Sequence, residues 1–103
     1  MKPVRFDYDE SARALLVAWD DGVVHRIPFT VLRRDCPCAA CRGEAGYRGR
    51  FADDPELHPG EDELADIKLV GAYGLNAMWA DGHDTGIYTF EHLRRLGEDA
   101  ANA

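Results

Sequence analysis

The sequence predicts an α+β fold: mainly antiparallel β-strands with short helices, arranged around a metal site. Three observations carry this prediction, namely short segments of alternating apolar and polar residues, Asp-Gly pairs between such segments, and three cysteines within six residues. Alternation with period two is typical of half-buried strands, and an Asp-Gly pair suits a tight hairpin because glycine readily adopts positive φ. A chain of 103 residues is the size of a single domain, which we expect to span residues 1–103.

The first half of the chain is expected to form three strands and a short helix. Alternation predicts a strand over residues 3–8, a more buried strand over residues 14–19, and a returning strand over residues 23–27 after an Asp-Gly turn. A helix over residues 31–34 is expected to follow. Thr30 is its predicted cap, since a threonine hydroxyl can accept a hydrogen bond from a first-turn amide.

The second half repeats this order after a segment rich in glycine and proline. Residues 43–63 are predicted to be a flexible loop, because six glycines and prolines interrupt any periodicity there. Strands are expected over residues 67–70, 75–79 and 85–88. A helix over residues 90–96 should follow, capped by Thr89 and ended by Gly97, with a frayed tail over residues 98–103.

The two halves share sequence as well as order. Residues 19–22 read Trp-Asp-Asp-Gly and residues 79–82 read Trp-Ala-Asp-Gly, and each is followed by a Phe-x-x-Leu-Arg-Arg segment. We therefore predict two pseudo-repeated β-hairpin-helix halves that pack their apolar faces into one core. His83 stands where the first half has Val23, so the hairpin itself does not require a histidine.

The three cysteines indicate a metal site. Cys36, Cys38 and Cys41 are too close together, and odd in number, for a disulfide framework. Thiolates so placed can converge on one ion, and one further ligand would complete the tetrahedral Cys₃His set that structural zinc favours. An iron–sulfur cluster is the alternative, although clusters are usually held by four cysteines.

A histidine is the expected fourth ligand. His83, at the second Asp-Gly turn, is the candidate, with His58 in the predicted loop as the alternative, while His25 and His92 are expected on the surface. A closed Cys₃His site leaves no coordination position for water, so the pattern indicates a structural metal and no enzyme activity.

Charge and hydropathy narrow the class of partner. The net charge of −7 disfavours nucleic acids and anionic membranes, no stretch of 18 apolar residues suggests a membrane span, and no signal peptide is evident. Reduced clustered cysteines fit the cytoplasm. Arginines nevertheless flank the cysteines, and they either dock a phosphate or an acidic partner or pair with the acidic stretch over residues 53–66.

Two motifs carry a resemblance to a known family. Residues 36–41 read Cys-x-Cys-x-x-Cys, and residues 79–88 read Trp-x-Asp-Gly-His-x-x-Gly-Ile-Tyr. From about residue 4 to residue 96 the chain resembles the gamma-butyrobetaine hydroxylase-like N-terminal domain, which in carnitine-biosynthesis dioxygenases binds zinc and precedes a 2-oxoglutarate-dependent catalytic domain. The resemblance implies zinc ligation by Cys36, Cys38, Cys41 and His83. Because the sequence ends where that catalytic domain would begin, we expect no hydroxylase activity and no binding of 2-oxoglutarate or iron.

The expected function is therefore that of a non-catalytic zinc-binding module, an interaction or adaptor domain for an unidentified protein partner, and a homodimer is compatible with the sequence. The family domain is also attached to Mrp-type ATPases that carry iron–sulfur clusters. This implies an alternative role as an accessory factor in iron–sulfur cluster assembly or carriage.

Overall fold

The computed structural model describes residues 2–37 and 56–101, which form two three-stranded antiparallel sheets and two helices. Cys38, Cys41 and residues 43–55 of the predicted loop lie outside the described residues. The fold is thus mainly antiparallel β with two helices, as predicted, although the strands form two sheets. In the described residues, no helix is both long enough and apolar enough to cross a membrane.

The first sheet has the order β1-β2-β3, with β1 at Pro3–Asp9, β2 at Ala14–Trp19 and β3 at Val24–Pro28. Helix α1 follows at once, at Phe29–Arg34. Alternate residues of β2 are fully buried, which agrees with the period-two pattern of the sequence.

The second sheet has the same order, β4-β5-β6, with β4 at Leu64–Val70, β5 at Gly74–Trp79 and β6 at Gly86–Thr89. Helix α2 follows at Phe90–Ala101. β4 begins three residues before the predicted strand, because Leu64 pairs with Trp79 across a bulge that precedes Asp66.

The two helices begin in different ways. The prediction that Thr30 caps α1 is wrong, since the helix begins at Phe29, after Pro28, with no side-chain cap. The Phe29 N–H instead donates to the backbone oxygen of Arg13, at 2.9 Å. The predicted cap of α2 is confirmed, because Thr89 Oγ1 accepts a hydrogen bond from the His92 N–H at 3.1 Å.

Gly97 does not end α2. The helix continues to Ala101, so residues 98–101 of the predicted frayed tail are helical, and residues 102–103 lie outside the described residues. Gly97 is buried, and a Cβ at this position would overlap the ring of His25. The glycine therefore serves close packing between α2 and β3.

His25 is buried, not exposed as the sequence suggested. Its exposed fraction is 6%, and its Nδ1 accepts a hydrogen bond from Trp19 Nε1 at 3.0 Å. Its side chain is directed inward because it lies opposite Val17, a buried residue of β2, and cross-strand neighbours share a face.

One apolar core joins both sheets and both helices. Each helix also reaches the hairpin of the sheet that does not precede it: Arg33 of α1 pairs with Asp81 at 3.2 Å, and Arg94 of α2 pairs with Asp21 at 3.0 Å. The largest fully buried side chains of the core are those of Leu15, Val17, Ile27, Leu32, Cys36, Leu75, Tyr88 and Leu93.

Candidate metal centre

Cys36 and His83 lie together, although 47 positions separate them in the chain. Cys36 follows α1, where its N–H donates to the Arg33 oxygen at 3.1 Å. His83 is held in the β5–β6 turn, where its oxygen accepts from the Trp79 N–H at 2.9 Å and its own N–H donates to Asp81 Oδ1 at 3.0 Å. The Cys36 Sγ lies 3.3 Å from the His83 Nε2. The segment that follows α1 therefore brings the Cys36 thiol to the second hairpin.

Gly86 makes the space that the thiol occupies. Cys36 is 1% exposed, and a Cβ built at Gly86 would lie 2.7 Å from its Sγ. Any larger residue at the start of β6 would push Cys36 away from His83. The glycine of the Gly-Ile-Tyr sequence that ends the second motif is thus required to make room for the Cys36 thiol.

The Sγ–Nε2 separation fits two ligands of one tetrahedral ion. With a Zn–S distance of about 2.3 Å and a Zn–N distance of about 2.0–2.1 Å, a tetrahedral angle places sulfur and nitrogen roughly 3.5 Å apart. The 3.3 Å between Cys36 and His83 is close to that value. Both atoms also belong to side chains that zinc accepts.

The surroundings of His83 favour a neutral imidazole. Burial lowers the pKa of His83, and the Arg33 guanidinium lowers it further, against the opposing effects of Asp81, Asp84 and Glu61. A neutral ring is the form that coordinates a metal, because protonation would occupy the donor nitrogen. Burial raises the pKa of Asp81, but hydrogen bonds from Arg33 and from the His83 N–H outweigh it and keep that pKa below its ordinary value.

Arg33 stabilises the turn that carries His83. Its side chain is buried and pairs with Asp81, and its Nη1 also donates to the backbone oxygen of Glu61 at 3.1 Å. The Glu61 carboxylate lies 3.8 Å from Nη2. For this arginine, pairing with the acidic stretch is therefore what the structure shows. The sequence analysis grouped Arg33 with the other arginines that flank the cysteines. Its one distinguishing signal was its place in the repeated Leu-Arg-Arg segment, where it corresponds to Arg94.

Two buried donors near the centre have no acceptor within the part of the chain that the structure describes. These are the Arg33 Nε and the Trp79 Nε1. The equivalent residue of the opposite half is paired in each case: Trp19 Nε1 donates to His25, and Arg94 Nε donates to Glu98 at 2.7 Å. Beside the centre, Arg33 of the first half and Trp79 of the second thus keep two N–H groups available for an acceptor such as water or a thiolate.

A polar cavity of about 440 Å³ adjoins the centre and reaches Cys36 from solvent. His92, expected on the surface, is half-buried beside it: its Nε2 lies 2.5 Å from Asp35 Oδ2, and its ring packs on Tyr88 at 5.5 Å. The exposed Arg34 and Arg95 also line this cavity. Sequence reasoning missed the Asp35–His92 pair, since nothing in the sequence links residues 57 positions apart.

The described residues include two of the four predicted ligands. Cys38 and Cys41 lie outside the described residues, and no group of three metal-binding side chains occurs within residues 2–37 and 56–101. His58 lies in the turn before β4, where its backbone N–H donates to Glu61 Oε1 at 2.6 Å. The structure therefore brings together Cys36 and His83, two of the four predicted ligands.

Comparison with known proteins assigns the chain to a family. Residues 6–94 match the family described as gamma-butyrobetaine hydroxylase-like, N-terminal. The comparison with curated proteins gives no match.

Solved structures share the fold. The chain is 31% identical to a protein of unknown function from Acidithiobacillus ferrooxidans, assigned to the DUF971 family, with a TM-score of 0.68 over 93% of this chain and 92% of that one. Two NMR solution structures are similar with TM-scores of 0.74 and 0.67. Their identities are 24% and 23%; the alignments cover 98% of this chain and 72% and 76% of theirs, and we take from them the fold alone.

Proposed function

Because the chain belongs to the gamma-butyrobetaine hydroxylase-like N-terminal domain family, we propose that it is a zinc-binding module that acts as an interaction or adaptor domain without catalysis of its own. The ligands in this proposal are Cys36, Cys38, Cys41 and His83. Zinc bound by these four side chains would supply a closed, redox-inert crosslink and no site for an activated water.

One observation carries the proposal: a buried thiol and a half-buried imidazole from opposite halves of the chain lie 3.3 Å apart. Cys36 is fixed by α1 and Gly86, and His83 is fixed by its turn and by Asp81. These contacts hold the two side chains at a distance that suits a shared ion, independently of Cys38 and Cys41. The unused donors of Arg33 and Trp79 add support, because a three-thiolate site carries negative charge that N–H groups stabilise.

We also propose that the two halves are a structural pseudo-repeat. Support comes from their equal strand order, their matching bulges in β1 and β4, and their reciprocal pairs Arg33–Asp81 and Arg94–Asp21. In this interpretation the metal joins the two halves at one place, where the end of α1 meets the turn of the second hairpin.

Metal analysis of protein purified without oxygen tests the function. We expect colourless protein that contains one zinc ion per chain. Brown protein with iron and labile sulfide would contradict the zinc assignment and favour a role in iron–sulfur cluster assembly or carriage.

Single substitutions then identify the ligands. Cys38→Ser and His83→Ala should each reduce the bound zinc sharply, because each removes one of four ligands. His58→Ala is the matched control and should retain the metal. Zinc lost from His58→Ala and kept in His83→Ala would exchange the two histidines in the proposal.

A further inference from the structure

The edge strands β1 and β4 face each other across a gap. Each has a single hydrogen-bonded neighbour among the described residues, so one edge of each strand has no partner strand there. The two strands run antiparallel along the gap, since Tyr8 lies beside Ala65, with the Tyr8 hydroxyl donating to the Ala65 oxygen at 3.4 Å, while Phe6 and Ile67 line the same groove. Over most of their length they lie more than 8 Å apart. One further strand needs about twice the 4.7–4.9 Å spacing of neighbours.

The open edges carry backbone donors that a further strand would use. The N–H of Tyr8 donates to the carboxylate of Asp7 at 2.9 Å, and the N–H of Ile67 donates to that of Asp66 at 2.8 Å. The same local arrangement thus protects both edges. An inserted strand would offer carbonyl oxygens in place of these carboxylates, and the two aspartates would be released to meet its side chains.

The floor of the gap is apolar and open. A groove of about 620 Å³ lies there, and the apolar side chains that line it include Phe6, Ile67, Leu75 and Phe90. At its rim Val4 is 67% exposed and Leu69 is 57% exposed. Apolar side chains of an extended segment, pointing inward at every second residue, would cover this surface.

The charges beside the gap specify what would fit. Counting residue by residue along the antiparallel strands from Tyr8 and Ala65 puts Arg5 across from Lys68, and Asp7 across from Asp66. Within β1, Arg5 Nη2 also pairs with Asp7 Oδ2 at 3.3 Å, an exposed pair that an inserted strand would exchange for its own side chains. Like charges directly opposite each other are destabilising, which opposes closure of β1 onto β4. A strand between them would instead place one side chain between two cations and the next on the same face between two carboxylates.

We propose that the gap between β1 and β4 binds an extended peptide segment of a partner protein, with an acidic residue, an apolar residue and a basic residue in succession. The acid lies between Arg5 and Lys68, the base lies between Asp7 and Asp66, and the apolar residue enters the groove. This inference rests on the adaptor role proposed above but not on the metal, because no predicted ligand lines the groove.

A synthetic peptide provides the test. The probe is Thr-Val-Glu-Val-Lys-Val-Thr, and binding to the full chain is followed by NMR through the amide signals of Tyr8 and Ile67. We expect saturable shifts at these amides and weaker binding of a peptide with lysine in place of glutamate. Lys68→Glu should weaken the Glu peptide about five- to tenfold and strengthen the lysine peptide, since opposite-charge cross-strand pairs contribute up to about 1 kcal/mol each.

The matched control is Arg26→Glu, an exposed cation of β3 that does not line the groove. It should leave the affinities for both peptides unchanged. The absence of saturable binding up to about 1 mM peptide would overturn the proposal, because it corresponds to a binding free energy weaker than about −4 kcal/mol. So would equal effects of the two variants, or dimerisation through the groove, seen as a dimer in sedimentation that Lys68→Glu dissociates. Zinc content measured on the same samples reports separately on the metal.

Discussion

Arg33 joins three parts of the chain around one buried guanidinium. It belongs to α1, pairs with Asp81 of the second hairpin, and binds the backbone of Glu61 before β4. Its ring neighbour is Trp79, whose centroid lies 5.7 Å from the guanidinium carbon. The position of Cys36, three residues later, depends on this anchor.

Substitution of Arg33 tests the anchor. Arg33→Met should lower the free energy of unfolding by about 2–4 kcal/mol, because it leaves the carboxylates of Asp81 and Glu61 without their cation. Arg34→Met, at the exposed neighbour, should change it by no more than about 0.5 kcal/mol. Urea unfolding measures both, and equal effects would show that Arg33 is not the anchor.

His25 gives the stability a pH dependence of known sign. Burial lowers the pKa of His25, and Arg94 lowers it further, against Glu98 and Asp21. Below an ordinary value of about 6.5 the unfolded chain therefore binds a proton before the folded chain does. The stabilisation is complete above that pH and is lost as the pH falls toward the lower folded value.

The comparison of wild type with His25→Gln isolates this contribution, since glutamine can still accept a hydrogen bond from Trp19. The stability difference between the two proteins should be smaller near pH 5 than near pH 7.5. Urea unfolding at both pH values measures it. A difference that does not vary with pH would contradict a lowered pKa of His25 in the folded protein.

Helix α2 illustrates how packing overrides local preference. Gly97 lies inside the helix, where alanine would ordinarily be favoured by about 1 kcal/mol. Gly97→Ala should nevertheless destabilise the protein by about 1–3 kcal/mol, because the new methyl group overlaps the ring of His25.

A double variant separates the two effects. In a His25→Ala background the ring is absent, and Gly97→Ala should become neutral or stabilising. Thermal unfolding of the four proteins gives the coupling. If Gly97→Ala is equally harmful in both backgrounds, the contact with His25 is not the reason for the glycine.

The strands could be predicted from the sequence more closely than the helix ends. Alternation and the Asp-Gly pairs depend on local chemistry, so β2 and β5 lie where the pattern placed them. The end of α2 and the burial of His25 depend on contact between two distant segments. In the site, the two motifs named Cys36 and His83 as candidate ligands before their contact was seen, whereas the Asp35–His92 pair left no local signal.

At the scale of the molecule, the described residues form two small sheets, and each helix contacts the hairpin of the sheet that does not precede it. α1 reaches the second hairpin and α2 reaches the first, so the halves are joined by ion pairs as well as by the core. In the proposed function the metal adds a further connection, because its ligands come from the end of α1 and from the β5–β6 turn.

Removal of the metal should therefore affect the entire fold. Structural zinc contributes on the order of 10 kcal/mol in small zinc-finger peptides, and a loss of only about 3 kcal/mol would lower the Tm of a domain of this size by more than about 10 °C. Calorimetry with and without a strong chelator measures the shift. Cys38→Ser is the control, since a chain that cannot hold the ion should not respond to the chelator.

X-ray absorption at the zinc edge of the purified protein tests the metal centre most directly. The account predicts three sulfur atoms at about 2.3 Å and one nitrogen at about 2.0–2.1 Å, with the nitrogen contribution lost in His83→Ala. A first shell of oxygen and nitrogen alone, or a nitrogen signal unchanged by that substitution, would contradict it.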